Sequence, residues 1–407
     1  MVDAALHALV GVQRAVVLKA GAPAATLTRL PDGSVDFTYL DGYDGPAVAS
    51  TLPLGSLRRT PNGGLPPFFT NLLPEGRRLA AVREAIGTST DDDLSMLLAV
   101  GANLVGDVTV VPADEDAATL ADRTPGEAGV AGVDAESFAD LDFDELAERA
   151  LGPQGVRAAG MAGVQDKISS WMITLPVRGD FLLKLDPPQF PRLVENEAYF
   201  LEAARATGLR TTKAELVRDK RERPGLLVSR FDREGGARLA VEDGCQVLDV
   251  YPVQKYRVTS ERTLGSLAGL CQAGRVAAAE YLDQVVFAWL TGNGDAHAKN
   301  FSVLQSAAGE WRAAPAYDLP SSYPYVPNVN ADMALSIDGR KEGLTRSRML
   351  ALAVSLGVPA RAAARIIDHQ RDAVDAWLPG IDVIGFDERR THKWRRFVEH
   401  RRTGLSA

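Results

Sequence analysis

Asp295-Ala296-His297-Ala298-Lys299-Asn300, followed by Pro315-Ala316-Tyr317-Asp318, sets an acid, an amide and a second acid in the order that phosphoryl transfer needs. An aspartate can accept the proton of an attacking hydroxyl, while a downstream asparagine oxygen and a further carboxylate can hold magnesium against a triphosphate. Asp295 is therefore the candidate catalytic base, and Asn300 and Asp318 are the candidate metal ligands. With Asp295 serving the nucleophile, His297 reads as a residue that organises the loop beside the nucleotide. Lys299 has two readings: a cation that offsets charge on the transferred phosphoryl group, or a plain surface lysine.

Phosphate-binding candidates lie upstream. Phe181-Leu182-Leu183-Lys184-Leu185 is an apolar strand with one charge inside it. A buried, unpaired ammonium is costly, so Lys184 either snorkels to solvent at an edge or meets an anion such as the α/β-phosphates of ATP. Glu195 or Glu197, at the start of the next helix, would supply its carboxylate partner; Glu197 is favoured because Tyr199, Phe200 and Ala203 must also turn inward. Gly160 to Lys167 precedes a strand-like run, Ile168 to Leu175, and glycine lets backbone N–H groups approach phosphate closely. Gly163, Val164, Gln165 and Lys167 are the candidates there, with a plain hairpin turn as the alternative, since this is no Walker A sequence. Leu226 to Arg233 reads as a buried strand ending in a charged connection. In a two-lobed kinase it would be the hinge, with Ser229 and Phe231 beside the adenine. Arg230 and Asp232 could equally form a structural ion pair.

These residues need elements to hold them. A helix over Val276 to Leu290 is expected, because Tyr281, Val285 and Trp289 recur on one face. Thr291-Gly292-Asn293-Gly294 ends it, and strands at Phe301 to Leu304 and Trp311 to Ala316 would return Asp318 to Asn300. Residues 1–111 read as a mostly β module, with strands at Ala15 to Lys19, Val35 to Leu40 and Gly106 to Val111 and a short helix from Asp92 to Ala99. Residues 112–150 form an acidic linker, solvated apart from a short helix near Phe143 to Leu151. Residues 151–235 form a mixed lobe, and 236–407 a helical lobe.

Bulk composition fits a globular enzyme: 407 residues, 46% hydrophobic and 24% charged, with a net charge of −8. The acidic linker carries twelve acids and two bases, a balance of −10, which leaves the remainder at +2. Only Cys245 and Cys271 are present, which is no disulfide framework, and a reducing cytoplasm is the expected setting. The apolar N-terminal stretches lack a basic flank and are broken by Arg14 and Lys19, so no signal peptide or membrane span is expected. Arg389, Arg390, Lys393, Arg395, Arg396, Arg401 and Arg402 surround Trp394 and Phe397, either as a solvated helix face or as a surface for nucleic acid or an acidic partner.

Gly163-Val164-Gln165-Asp166-Lys167, Lys184, Asn196-Glu197, Arg230-Phe231-Asp232-Arg233, Glu242-Asp243-Gly244-Cys245-Gln246 and Gly294 to Ser302 together resemble the HipA family of serine/threonine protein kinases, toxins of HipA/HipB-type toxin–antitoxin modules. Asn71-Leu72-Leu73-Pro74-Glu75-Gly76, Tyr317-Asp318-Leu319 and Met333 to Ile337 extend the resemblance over nearly the whole chain. It implies an α+β, two-lobed protein-kinase-like (phosphoinositide-kinase-like) fold with an N-terminal β subdomain and a helical C-terminal lobe. It also implies ATP and Mg²⁺ as cofactors, a HipB-like helix-turn-helix antitoxin that contacts operator DNA, and a translation factor or aminoacyl-tRNA synthetase, such as glutamate–tRNA ligase, as substrate. A catalytically weak co-repressor subunit is the alternative, and a small-molecule kinase resembling the aminoglycoside phosphotransferases is a third reading. One departure stands out. Many family members carry an autophosphorylated serine in the Gly-rich loop, whereas residues 155–167 here hold no hydroxyl side chain.

Overall fold

A computed structural model of the chain describes residues 4–89, 92–113, 138–151, 172–177, 180–187, 189–326 and 331–406. Gly163, Val164, Gln165 and Lys167 lie outside the described residues, as does most of the acidic run.

The N-terminal subdomain is built on an antiparallel sheet of β1 (Arg14–Lys19), β2 (Ala22–Arg29), β3 (Val35–Tyr39), β4 (Leu57–Thr60) and β5 (Val108–Pro112), in the order β4-β3-β2-β1-β5. Alternation along β1 sends Ala15 and Val17 inward, fully buried, as a half-buried strand requires. Helices Gly76–Ile86 and Asp93–Val100 close this core. The Asp92 carboxylate caps the second of them, accepting from Ser95 N at 3.2 Å. The helix Gly76–Ile86 is not foreseen from the sequence, where it opens on glycine directly after a loop-and-turn stretch.

The next sheet comprises β6 (Ile173–Val177), β7 (Phe181–Leu185), β8 (Ala214–Arg218) and β9 (Pro224–Ser229), antiparallel in the order β6-β7-β9-β8. Side chains of a strand alternate between faces. Leu183, Leu185 and Leu227 therefore meet Phe138, Phe143 and Leu146 on one side, while Leu182, Leu226 and Val228 join the core that includes helix Leu193–Ala206. Lys184 shares the face of Leu182, which aims it at that helix.

The helix expected near the end of the acidic run forms at Phe143–Leu151, but it is packed rather than solvated. Asp142, just before it, meets Lys220, Arg221 and Arg223 of the β8–β9 hairpin, and Asp219 of that hairpin accepts from Phe143 N at 3.0 Å.

A hairpin, β10 (Arg233–Glu234) and β11 (Ala237–Arg238), leads into the C-terminal lobe. There a small sheet, β12 (Val241–Asp243), β13 (Ser302–Gln305) and β14 (Trp311–Ala313), lies against helices Ser260–Leu270 and Gly274–Thr291, and Arg346–Ser355, Ala360–Trp377 and Glu388–Gly404 pack on the second of these. Gly274–Thr291 is the central helix, buried along most of its length. It stops at Gly292, where φ is +77° and a Cβ would stand 2.7 Å from the Phe397 ring, so both backbone and space demand glycine. Trp394 is fully buried, and Arg401 stacks over Trp289 at 3.7 Å and Phe397 at 4.2 Å. Arg395 pairs with Asp382 and Arg402 with Asp375, so much of the basic C-terminal cluster is spent within the lobe. Arg389, Lys393 and Arg396 stay exposed.

Candidate active site

The two sheets and the central helix bring residues far apart in sequence to one point. Lys184 Nζ lies 2.7 and 2.9 Å from the two carboxylate oxygens of Glu197 and 3.2 Å from Asp318 Oδ1. Glu197 is the chosen partner because Asn196, Glu197, Phe200, Leu201 and Ala204 form the buried face of their helix. Glu195, two positions earlier, pairs instead with Arg192 at 3.3 Å. Burial opposes the Lys184 charge, but the two carboxylates outweigh it and raise its pKa. Burial, reinforced by the neighbouring Asp318, pushes Glu197 upward against the pull of Lys184.

Asp318 is the pivot. Its φ of +58° is in the left-handed region, which Asp tolerates better than most residues. Three contacts hold it there: Asn300 Nδ2 donates to Oδ2 at 2.7 Å, Lys184 donates to Oδ1, and Asn293 Nδ2 donates to the main-chain oxygen at 3.2 Å. The expected return of β14 to Asn300 is thus observed. Asn196 fixes the segment beyond, exchanging two 2.9 Å hydrogen bonds with the Ser321 main chain.

The loop after the central helix is braced from within. Asn293 Oδ1 accepts from Asp295 N at 3.0 Å, and Asn300 Oδ1 accepts from His297 N at 3.0 Å. Tyr256 donates its hydroxyl to Asp295 Oδ1 at 2.9 Å. His297 is 1% exposed, and its ring meets Tyr256 edge-on at 5.0 Å, which suits a loop-organising residue better than one touching nucleotide.

Lys299 is neither a surface lysine nor aimed at open solvent. It is 8% exposed, with Nζ 2.7 Å from Glu75 Oε1 and 3.0 Å from Asn71 O of the N-terminal subdomain. Lys255 Nζ reaches the other Glu75 oxygen at 2.6 Å.

The connection after β9 also differs from a bare adenine-reading hinge. Ser229 N donates to Lys213 O at 2.8 Å and Ser229 O accepts from Thr212 Oγ1 at 2.7 Å, so its main chain is already engaged by neighbouring structure. Phe231 leans on Tyr317 at 5.3 Å between ring centres. Arg230 and Asp232 are a buried ion pair at 2.7 Å that docks the N-terminal subdomain: Arg230 donates to Asn103 Oδ1 and Leu104 O, and Asp232 accepts from Gly106 N at 2.8 Å. Burial opposes the Asp232 charge, but Arg230 and Arg233 overcome it and hold its carboxyl at about 2.

Among the described residues, no group of three or more His, Cys, Asp or Glu side chains could hold a metal ion by itself. Asn300 Oδ1 and the Asp318 carboxylate are the candidate hard oxygen donors; here Asn300 turns Nδ2 to Asp318 Oδ2 and Oδ1 to His297 N, so a bound ion would take the second lone pair of Oδ1 and replace the Nδ2–Asp318 hydrogen bond. Such a set fits magnesium completed by phosphate oxygens and water.

Sequence comparison shows the family. Residues 15–111 match the HipA N-terminal domain and residues 159–378 the HipA-like C-terminal domain. The chain belongs to the HipA family. Two relatives from Sinorhizobium fredii, "Putative kinase Y4mE" and "Putative kinase Y4dM", are 31% and 28% identical over 82% and 87% of the chain, and over 84% and 88% of their own lengths. The serine/threonine-protein kinase toxin HipA of Shewanella oneidensis is 26% identical over 67% of the chain and 66% of its own length. The solved Shewanella oneidensis HipA, in complex with HipB and operator DNA, matches with a TM-score of 0.73 at 20% identity, covering 96% of this chain and 97% of that one. The HipA fold, two-lobed and α+β, is therefore shared. Within it the structure brings together Lys184, Glu197, Asn300 and Asp318, as the sequence predicts. Tyr256, Asn293 and Lys255 were missed because no motif marks them. Glu75 lay inside a recognised stretch but carried no chemical role.

Proposed function

We propose that this HipA-family protein is an ATP- and Mg²⁺-dependent serine/threonine protein kinase, acting as a toxin under a HipB-like antitoxin. The observation that carries this reading is the Lys184 ammonium between Glu197 and Asp318, beside a loop presenting Asp295 and Asn300. Lys184, aligned by Glu197, would hold the α/β-phosphates of ATP. Asn300 and Asp318 would hold magnesium, which when bound offsets charge on the phosphate oxygens. Asp295, steadied by Tyr256, would take the proton of the substrate hydroxyl. Gly163, Val164, Gln165 and Lys167 would cover the phosphates.

A protein acceptor such as an aminoacyl-tRNA synthetase, operator contact through the antitoxin and a cytoplasmic setting belong to the same proposal. The free thiols Cys245 and Cys271 are compatible with a reducing compartment. Among the described residues no helix is long and apolar enough to cross a membrane.

Labelled γ-phosphate from ATP, added with the purified protein to a cell lysate, is expected to appear on protein hydroxyls and to be lost with EDTA. Label found only on a metabolite would favour a small-molecule kinase. No transfer at all, together with antitoxin-dependent operator binding, would favour a co-repressor.

Residues 155–167 contain no serine, threonine or tyrosine, so self-inactivation through that loop is not available. Phosphopeptide mapping after incubation with ATP is expected to find no phosphate there, placing control on the antitoxin or on another site.

A further inference from the structure

Glu75 opens the helix Gly76–Ile86 of the N-terminal subdomain, yet both of its carboxylate oxygens are bound by the C-terminal lobe. Oε1 accepts from Lys299 Nζ at 2.7 Å and Oε2 from Lys255 Nζ at 2.6 Å. Lys255 and Lys299 are 1% and 8% exposed, so neither charge has bulk water to fall back on. Asp243 stands 4.0 Å from Lys299, a longer and weaker contact than either lysine makes with Glu75. Asn71 strengthens the attachment, its main-chain oxygen accepting from Lys299 and its amide donating to Val250 O at 2.9 Å.

Each lysine is the chain neighbour of a residue that faces the chemistry. Lys255 precedes Tyr256, whose hydroxyl holds Asp295, and Lys255 O accepts from Ala298 N at 3.2 Å. Lys299 precedes Asn300, and Lys299 O accepts from the hydroxyl of Tyr317, the residue before Asp318, at 2.6 Å. One carboxylate from outside the catalytic lobe thereby clasps the segment behind the base and the segment carrying the metal ligand.

We propose that Glu75 is a positioning residue for phosphoryl transfer, making the N-terminal subdomain a cis-acting part of the active site. Lys299 then acts through this clasp and not on the transferred phosphate. The proposal rests on the kinase reading above.

Full-length protein, Mg²⁺, labelled ATP and dephosphorylated casein, or the acceptor recovered from lysate, provide the test. Glu75→Gln is expected to lower kcat by about 10- to 100-fold, the scale of a small misplacement of reacting groups, with KM for ATP changed less than about threefold. Tyr256→Phe in the Glu75→Gln background is expected to add little, because both changes loosen the same contact to Asp295. Wild-type kcat in Glu75→Gln, or full additivity with Tyr256→Phe, would overturn the proposal. Should Glu75→Gln fail to fold, Glu75→Gln/Lys255→Met removes one charge of each sign and leaves Lys299 with Asp243. A comparable kcat loss in that folded variant supports the clasp, and wild-type kcat overturns it. A wild-type protein that labels no acceptor sinks the kinase reading, and this inference with it.

Discussion

Asp295→Asn is expected to reduce phosphoryl transfer by about 100- to 10,000-fold, the range associated with losing a positioned general base. ATP affinity should stay within about threefold of wild type, because the base acts on the attacking hydroxyl and the change leaves Lys184 and Asp318, the groups that would hold the nucleotide, in place. Asparagine keeps an oxygen for the Tyr256 hydroxyl and a main-chain N–H for Asn293, so the loop should keep its shape. Steady-state transfer and equilibrium ATP binding, measured on the same preparation, separate the two effects. Wild-type turnover in Asp295→Asn would remove the base assignment.

Lys184→Met should be damaging twice over. In the absence of nucleotide it leaves the Glu197 side chain, 1% exposed, facing Asp318 without an intervening cation. Breaking a buried pair in this way costs on the order of 3–5 kcal/mol, which protonation of Glu197 would partly relieve. Thermal unfolding should therefore show a marked fall in Tm. Lys184→Met/Glu197→Gln removes the stranded charge and is expected to recover most of that loss in stability. Transfer should remain abolished in both variants, since neither restores a cation for the α/β-phosphates. Recovery of transfer along with stability would mean that Lys184 is structural only.

Much of this site was legible because its parts obey short-range rules. The single charge inside the apolar run Phe181–Leu185 marks Lys184 as a residue that must reach solvent or an anion, and the inward turn expected of Phe200 and Ala203 favours Glu197 over Glu195. The hairpin that returns Asp318 to Asn300 is read from two short apolar runs and the turn between them. Long-range polar contacts left no such trace. Nothing local in Lys299 distinguishes an exposed lysine from one buried against Glu75, a residue 224 positions away. The Arg230–Asp232 pair was recognisable as a structural alternative, but its service as a dock for Asn103, Leu104 and Gly106 was not. The acidic run misled in the same way, since the bases that neutralise Asp142 lie in a hairpin formed much later in the chain.

The separation of Glu75 from its partners also has a meaning in time. Synthesis runs from the N-terminus at roughly 5–20 residues per second, so about 10 to 45 seconds pass between the making of Glu75 and of Lys299. Until Lys255 and then Lys299 are made, the N-terminal subdomain has its own apolar core but neither lysine for its carboxylate to grip. The catalytic loop, once made, meets a partner already waiting, and only then are base and metal ligand braced together. An unfinished chain on the ribosome therefore lacks a braced catalytic loop, and the capacity to act arrives late, as a property of the nearly completed molecule.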